Sequence, residues 1–150
     1  MTIHDILQLK GTSVFTTTPD TTLQEVTEEL VRRNVGALLV CSRDAQDGEQ
    51  VLGIISERDI LHVCASARGP LSAVAVCEVM SKQLFTAAPT DSVEDVMGLM
   101  TQRRVRHVPV MQSGRLVGMV SIGDVVKSQH DRLAMENQFM KNYIADAPHR

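Results

Sequence analysis

Apolar residues recur at helical spacing in two separate stretches of the chain. In the first stretch, Leu23, Val26 and Leu30 follow Thr22-Leu-Gln-Glu25, a capping box that satisfies N–H groups at a helix start. In the second stretch, apolar positions 93, 96, 97 and 100 follow Ser92-Val-Glu-Asp95, in which Asp replaces the usual Glu. Both stretches therefore predict an amphipathic helix that begins directly after its capping residue.

Short apolar runs after each helix predict two strands. The first pair is Ala37–Val40 with Val51–Ile55, and the second pair is Val108–Val110 with Leu116–Val120. Polar residues connect the members of each pair, which favours an antiparallel hairpin.

A short extended segment precedes each of these units, and a further helix follows it. The extended segments end at Pro19 and Pro89, since proline cannot donate to a strand ladder. The further helices begin at Ser56 and Ser121. The predicted order is β-α-β-β-α twice, and the fold class is α/β of the mixed α+β type. A module of about 60 residues buries too little surface to be very stable alone, so the two modules are expected to share a core as a pseudo-twofold pair.

The sequence itself repeats. Val14-Phe-Thr-Thr-Thr-Pro19 aligns with Leu84-Phe-Thr-Ala-Ala-Pro89 at an offset of 70 residues. The offset falls to 65 where Gly53-Ile-Ile-Ser-Glu-Arg-Asp59 aligns with Gly118-Met-Val-Ser-Ile-Gly-Asp124. The difference falls in one place, because the first copy has a long polar loop over Cys41–Gln50 where the second has a short turn. Insertions are tolerated in loops, so this difference in length is compatible with a true repeat. The repeat therefore predicts two copies of one module.

The repeat also sets the predicted domain organisation. The first module spans residues 2–66, a linker with a lead-in helix spans 67–80, and the second module spans 81–128. Two short lead-in helices are predicted, over Thr2–Gln8 and Ser72–Met80.

Residues 129–150 are predicted to extend the last helix, because no breaking residue follows Val126. Val126, Leu133, Met140 and Ile144 lie along one stripe of this extension. The stripe either covers the protein itself or a symmetry mate, or it belongs to a weakly packed, solvated helix.

Composition narrows the functional classes. The chain of 150 residues has 43% hydrophobic and 22% charged residues, as in soluble globular proteins, and its net charge of −3 gives no general attraction to nucleic acid or anionic membrane. No apolar run approaches the roughly 20 residues that span a bilayer, and the polar N-terminus is not a secretory signal, so a cytoplasmic location is expected. Three cysteines without close-pair spacing predict neither a disulfide framework nor a zinc site.

Two motifs make the sequence similar to a known family. The Gly-x-x-Ser-x-x-Asp phrase occurs in both copies, and the second copy adds Arg106-His-Val-Pro-Val110. Over residues 2–127 the chain resembles the CBS domain pair, or Bateman module, of the stand-alone tandem type. The resemblance implies a disk-like pair with two clefts between the modules. Such clefts hold AMP, ADP or ATP, and in some members S-adenosylmethionine or NAD(H).

The Ser-x-x-Asp part of the motif suits two parts of a nucleotide. Asp59 or Asp124 can accept hydrogen bonds from both ribose hydroxyls, and Ser56 or Ser121, at a helix N-terminus, suits a phosphate. The alternative is a plain N-cap with a favourable first-turn acid, and the two roles can coexist. The preceding strands would supply an apolar wall for the base: Ile54, Ile55, Met119 and Val120.

The resemblance implies that each cleft joins the motif of one copy to the start of the second strand of the other. The first cleft is then expected to contain Ser56, Arg58, Asp59, Arg106 and His107, with Lys82 nearby. The second is expected to contain Ser121, Asp124, Gly36 and Ala37. Because only the first cleft has arginine and histidine, the more phosphorylated ligand is expected there. The second is expected to be weaker, to take a less charged group, or to be empty.

These features predict a regulatory or sensor module that binds an adenosine compound, with AMP as the leading ligand, and that has no catalytic activity. The sequence offers no nucleophile with a base, no phosphate-binding glycine loop, no required cofactor and no metal cluster. Arg103, Arg104 and Arg106 lack the aromatic neighbours of a nucleic-acid surface. The expected partners are a second copy of the chain in a homodimer and an effector protein in trans. The alternative function is a ligand-independent dimerisation or interaction scaffold, in which both motifs are only caps.

Overall fold

In the computed structural model, residues 1–44 and 48–146 are described. Their helices and strands follow one another in this order: α1 (Ile3–Lys10), β1 (Thr16–Thr17), α2 (Leu23–Arg33), β2 (Ala37–Asp44), β3 (Gly48–Ser56), α3 (Glu57–Ala65), α4 (Val93–Arg103), β4 (His107–Gln112), β5 (Arg115–Ser121) and α5 (Ile122–Asp146). Two 3₁₀ turns, Leu71–Ala73 and Val76–Glu78, lie between α3 and α4.

Each module contains the predicted hairpin. β2 pairs antiparallel with β3, and β4 pairs antiparallel with β5. The short β1 adds in parallel to β2, and Ala87 forms the corresponding parallel bridge to Val110 in the second copy. The repeated β-α-β-β-α order and the mixed α/β class are thereby confirmed.

The polar loop predicted over Cys41–Gln50 is wrong in most of its length. β2 continues to Asp44 and β3 starts at Gly48, so strand pairing extends through the polar residues, and residues 45–47 lie outside the described part. The ladder continues past a register shift between Val40 and Cys41. The prediction was wrong because it relied on the polarity of this segment. Strands that extend beyond the core can keep their backbone pairing without apolar side chains.

The equivalent helices α2 and α4 begin with the same kind of cap. The Thr22 hydroxyl accepts the N–H of Glu25 at 3.2 Å, and the Ser92 hydroxyl accepts the N–H of Asp95 at 3.0 Å. They are one half of the predicted capping box, since among the described residues the Glu25 and Asp95 carboxylates do not accept the N–H of their capping residue in return.

An arginine at the end of each of these helices stacks over a phenylalanine before it. The Arg33 guanidinium lies 4.7 Å from the Phe15 ring centre, and that of Arg103 lies 5.1 Å from the Phe85 ring centre. Both pairs are related by the offset of 70 residues, so the internal repeat extends to side-chain packing. The contact also assigns Arg103 a packing role within its module.

The lead-in segments are exchanged between the modules. Ile3, Ile6 and Leu7 of α1 are buried in the core of the second module, although α1 precedes the first. Val74 and Val76 are buried in the core of the first module, although they precede the second. Each module is therefore completed by the segment that lies before the other one, which ties the two together.

The exchanged segment before the second module is not the predicted helix over Ser72–Met80. It forms two 3₁₀ turns because its backbone pairs with the first module. The N–H of Leu23 donates to the Val74 carbonyl at 2.9 Å, and the N–H of Val76 donates to the Thr21 carbonyl at 2.9 Å. These bonds hold the backbone extended at Val74 and Ala75, and the side chains of Val74 and Val76 are buried in the core of the first module.

The last helix extends as predicted, since α5 runs for 25 residues to Asp146. The remaining residues of the predicted extension, 147–150, lie outside the described part. All four stripe residues are more than half exposed: Val126, Leu133, Met140 and Ile144. The stripe therefore does not cover its own chain, which removes that part of the first alternative.

No helix within 1–44 and 48–146 combines the length and the apolar character that a membrane crossing requires.

Candidate functional site

The first Ser-x-x-Asp motif lies where β3 passes into α3, and we call its surroundings the Asp59 site. The Ser56 hydroxyl caps the helix by accepting the N–H of Asp59 at 3.4 Å. In return, Asp59 Oδ2 accepts the backbone N–H of Ser56 at 2.9 Å and the Ser56 hydroxyl at 3.0 Å. The junction is thus a complete capping box, made in the connection between strand and helix.

The second motif lies where β5 passes into α5, and we call its surroundings the Asp124 site. The Ser121 hydroxyl accepts the N–H of Asp124 at 3.1 Å, and Asp124 Oδ2 accepts the backbone N–H of Ser121 at 2.8 Å. Here a third group enters, because the Lys10 ammonium lies 2.6 Å from Asp124 Oδ2 and donates to the Met119 carbonyl at 2.8 Å. Lys10 is the last residue of α1, which reaches this site through the exchange of lead-in segments.

The capping reading of the motif is correct as geometry in both copies. Among the described residues, the hydrogen bonds to Asp59 and Asp124 all end on Oδ2. A carboxylate has two oxygens and about four acceptor positions, so capping through Oδ2 leaves Oδ1 able to accept a ligand hydroxyl. Capping and ribose binding are therefore compatible in the same residue.

A cavity of about 600 Å³ lies beside Asp59. This volume is in the range of sites for small organic ligands, roughly 300 to 1,000 Å³. Three of the described side chains that line it are basic: Arg58, His62 and Arg68. The others, apart from Asp59, are Val63, Ser66, Glu78 and Val79.

The basic lining has a geometric origin. Arg58 and His62 are four residues apart on α3, so they project from one face of the helix, and Arg68 follows the helix end. The Glu78 carboxylate, the acid that comes from the linker, accepts the N–H of Ala75 at 2.7 Å and so already has a partner. Arg58 and Arg68 can therefore donate to an anionic group, while Asp59 offers an acceptor at the edge of the cavity.

Arg106 and Lys82, which the resemblance placed in the first cleft, are not among the described residues that line this cavity, and their place in a cleft between the modules stays a prediction. Arg106 is exposed, and its carbonyl accepts the N–H of Ile122 in its own module at 2.8 Å. Lys82 follows Ser81, whose backbone pairs with Ile54 of β3, so it lies along the strand that leads to the Asp59 site.

His107 lies where the two modules meet. Its ring is 3.5 Å from the position that a Cβ on Gly36 would take, and Glu57 Oε1 is 3.2 Å from the same position. Burial lowers the pKa of His107 and the charge of Arg106 adds to this, while Glu57 and Asp124 act in the opposite direction. A ring held in the neutral form here is a hydrogen-bonding group rather than a cation for phosphate.

The structure changes two of the four residues that were predicted to form an apolar wall for the base. Ile55 and Val120 are fully buried, each in the core of its own module, so they do not face a cleft. Successive strand residues point to opposite faces, and the partly exposed neighbours Ile54 and Met119 have the other orientation. Ala37 is likewise buried, so only its backbone can be presented to a ligand.

The charge at Asp124 is stabilised against its own burial. Burial raises the pKa of this carboxyl, but the bond from Lys10, the Ser121 N–H and the charge of Lys10 outweigh it, and the pKa lies below its usual value. Asp124 is consequently an ionised carboxylate that is paired with the Lys10 ammonium.

Sequence reasoning missed Lys10, His62 and Arg68. Lys10 is 114 residues from Asp124, and nothing in its local pattern indicates the contact. His62 had a signal that could have been used, since it lies one helical turn after Arg58 on a helix whose start was predicted. Among the described residues, no group of three or more His, Cys, Asp or Glu side chains is arranged to hold a metal ion.

The fold and the two junctions together define a class of protein. Its members consist of a pair of β-α-β-β-α modules with exchanged lead-in segments and one Ser-x-x-Asp motif in each module. A family model of the CBS domain matches residues 2–66 and 76–131. The chain belongs to the CBS domain family, and its two modules form a CBS domain pair, which is a regulatory module.

Individual relatives agree with this assignment. The mitochondrial CBS domain-containing protein CBSX3 of Arabidopsis thaliana is 35% identical over 151 residues, which cover 95% of this chain and 71% of the relative. The crystal structure of the CBS-domain protein ATU1752 from Agrobacterium tumefaciens superimposes with a TM-score of 0.79 at 36% identity, over 86% of this chain and 99% of that one.

A more distant likeness concerns the fold alone. The CBS domain pair of protein MJ0100, solved with 5′-methylthioadenosine and S-adenosyl-L-methionine, has a TM-score of 0.71 at 23% identity, over 85% of this chain and 98% of that one.

Proposed function

We propose that this CBS pair is a sensor that binds an adenosine compound, AMP in the first place, at the Asp59 site and has no catalytic activity of its own. The observation that carries the proposal is the cavity of about 600 Å³ beside Asp59 with its three basic side chains. The other adenosine compounds expected from the sequence, ADP, ATP, NAD(H) and S-adenosylmethionine, are competitors in the same test.

The arrangement around the cavity supports each part of such a ligand. Asp59 Oδ1 would accept a ribose hydroxyl while Oδ2 keeps the cap, and Arg58 with Arg68 would attract the phosphate. Val63 and Val79, the apolar residues of the lining, would contact the base. The same fold holds adenosine compounds in the MJ0100 pair, which supports the ligand class without specifying the ligand.

A calorimetric titration with AMP tests the proposal. Asp59→Asn should weaken AMP binding by at least about tenfold, or roughly 1.4 kcal/mol, because one of the two carboxylate acceptors becomes an amide donor. Asparagine keeps an oxygen that can accept the Ser56 N–H, so the cap and the fold are retained. Asp124→Asn is the matched control and should change AMP affinity by less than twofold.

Two results would contradict the proposal. Equal losses from the two variants would mean that the Asp59 site is not the preferred one. No thermal stabilisation of the wild-type chain by AMP, ADP, ATP, NAD(H) or S-adenosylmethionine would favour the ligand-independent scaffold, since a ligand of the native state must raise the unfolding midpoint.

The exposed face of α5 supports a homodimer. Val126, Leu133 and Met140 are spaced seven residues apart, which is the repeat by which one helix packs along another. We therefore assign the face to a second copy of this chain, to be checked by the mass in solution of the wild type against a Leu133→Glu and Met140→Glu variant. Signalling to an effector protein in trans and a cytoplasmic location stay predictions from the sequence.

A further inference from the structure

The Asp124 site contains a cation that belongs to the protein itself. The Lys10 ammonium contacts Asp124 Oδ2 and the Met119 carbonyl, at 2.6 and 2.8 Å. The two side chains are 35% and 24% exposed, so water screens the pair only in part. Both protein acceptors lie where β5 meets α5, on the edge where the motif would receive a ribose.

The other copy differs at the corresponding position. In the lead-in segments the offset is 73 residues, because the N–H groups of Ile3 and Val76 donate to the equivalent carbonyls of Asp91 and Thr21. By the same offset Leu7 and Met80 are equivalent, and each lies against the first glycine of a motif. Lys10 therefore corresponds to Gln83, whose amide carries no charge.

A ribose meets a weaker acceptor at Asp124 than at Asp59. Among the described residues Oδ1 is unbonded in both carboxylates, but at Asp124 the Lys10 ammonium already neutralises the charge that would attract a hydroxyl. The neutral hydroxyls of a ribose cannot replace that cation. Displacing Lys10 would also leave a partly buried carboxylate without its cation and an ammonium without its acceptors. At the Asp59 site the bonds that the described residues make to the carboxylate are those of the cap, which end on Oδ2.

We propose that Lys10 determines which of the two sites accepts a ribose, by occupying Asp124 and closing that site to adenosine compounds. The inference rests on the proposed function, in which the Asp59 site is the one that binds. It goes further by naming the residue that makes the pair bind one ligand instead of two. The asymmetry then comes from the exchanged lead-in segment, and not from the motifs, which are alike.

Replacing Lys10 by an uncharged side chain of similar length tests this directly. Lys10→Met should raise the stoichiometry of AMP binding from one to two per chain in a calorimetric titration. In the double variant with Asp59→Asn, strong binding should persist with one AMP per chain, now at the Asp124 site. Lys141→Met, which removes an exposed lysine of α5 far along the helix, should leave the stoichiometry at one.

An unchanged stoichiometry in a folded Lys10→Met chain would overturn the inference, and circular dichroism provides the folding control. If the wild type binds no AMP but Lys10→Met binds one, the proposed function of the Asp59 site fails while the role of Lys10 stands. If neither binds, both fail.

A second measurement needs no ligand. The pKa of the Asp124 carboxyl, followed by NMR through its side-chain carbon, should rise when Lys10 is replaced, because the burial that opposes ionisation remains. His107 also interacts electrostatically with Asp124, so the same titration is repeated in a His107→Gln background. An unchanged pKa would show that the ion pair does not form in solution, and would overturn the inference without affecting the Asp59 site.

Discussion

The two strand-to-helix junctions have the same motif and the same cap, but their surroundings are different. At the Asp59 site the basic groups come from α3 and the residue stretch after it, and they line a cavity. At the Asp124 site the basic group comes from α1, at the other end of the chain, and it contacts the motif carboxylate itself. The local motif therefore specifies a helix cap, while the availability of its carboxylate to a ligand depends on what is packed against it.

The exchange of lead-in segments explains how the difference arose within a repeat. Each module is completed by the segment that precedes the other one, so Lys10 reaches the second module and Met80 reaches the first. A change in one lead-in therefore alters one site only. Three further measurements would test how far the two junctions differ.

The largest effect is expected at the first glycine of the motif. In Gly53→Ala the new Cβ would lie 2.6 Å from the Ser81 carbonyl oxygen, which is backbone and is held by the N–H of Ile54 at 3.0 Å. In Gly118→Ala the Cβ would lie 2.8 Å from the end of the Leu7 side chain, which can rotate away. We expect losses of unfolding free energy of about 3 kcal/mol for Gly53→Ala and about 1 kcal/mol for Gly118→Ala, measured by urea denaturation. Equal losses would mean that Leu7 is held as rigidly as backbone.

The caps should behave alike in the two copies. Ser56→Ala and Ser121→Ala each remove the hydroxyl that accepts the N–H of the motif Asp, so each should cost about 1 kcal/mol of unfolding free energy. Matched losses in denaturation, beside unequal effects on AMP binding, would separate capping from ligand binding. A loss from only one of them would show that the two junctions differ in the cap as well.

The smallest effect concerns the pH dependence of stability. It distinguishes the two copies because the second has His107 where the first has Ala37. Because the folded pKa of His107 is below the unfolded value of about 6.5, the unfolded chain binds more protons between the two values. Its contribution to stability is therefore complete above pH 6.5 and is lost as the pH falls through that window toward the folded pKa. His107→Gln should lessen the fall of the unfolding midpoint between pH 7 and pH 5, and an unchanged slope would contradict the assignment.

Much of the fold was predictable because its signals are local. The Thr22 and Ser92 caps, the two hairpins and the uninterrupted α5 each follow from residues within one turn or one strand of each other. The failures were of two kinds. Polar residues at 41–44 were assigned to a loop although their backbone could pair, and apolar Ser72–Met80 was assigned to a helix although its N–H groups pair with the first module.

The sequence by itself determined the repeat, the β-α-β-β-α order and the position of both Ser-x-x-Asp motifs, because spacing and capping act over a few residues. Only the tertiary structure decided that α1 packs on the second module, that Ile55 and Val120 face the cores, and that Lys10 lies on Asp124. Those facts depend on burying apolar faces across more than a hundred residues of chain. The motifs are therefore equal as sequence and become unequal as sites when the modules pack.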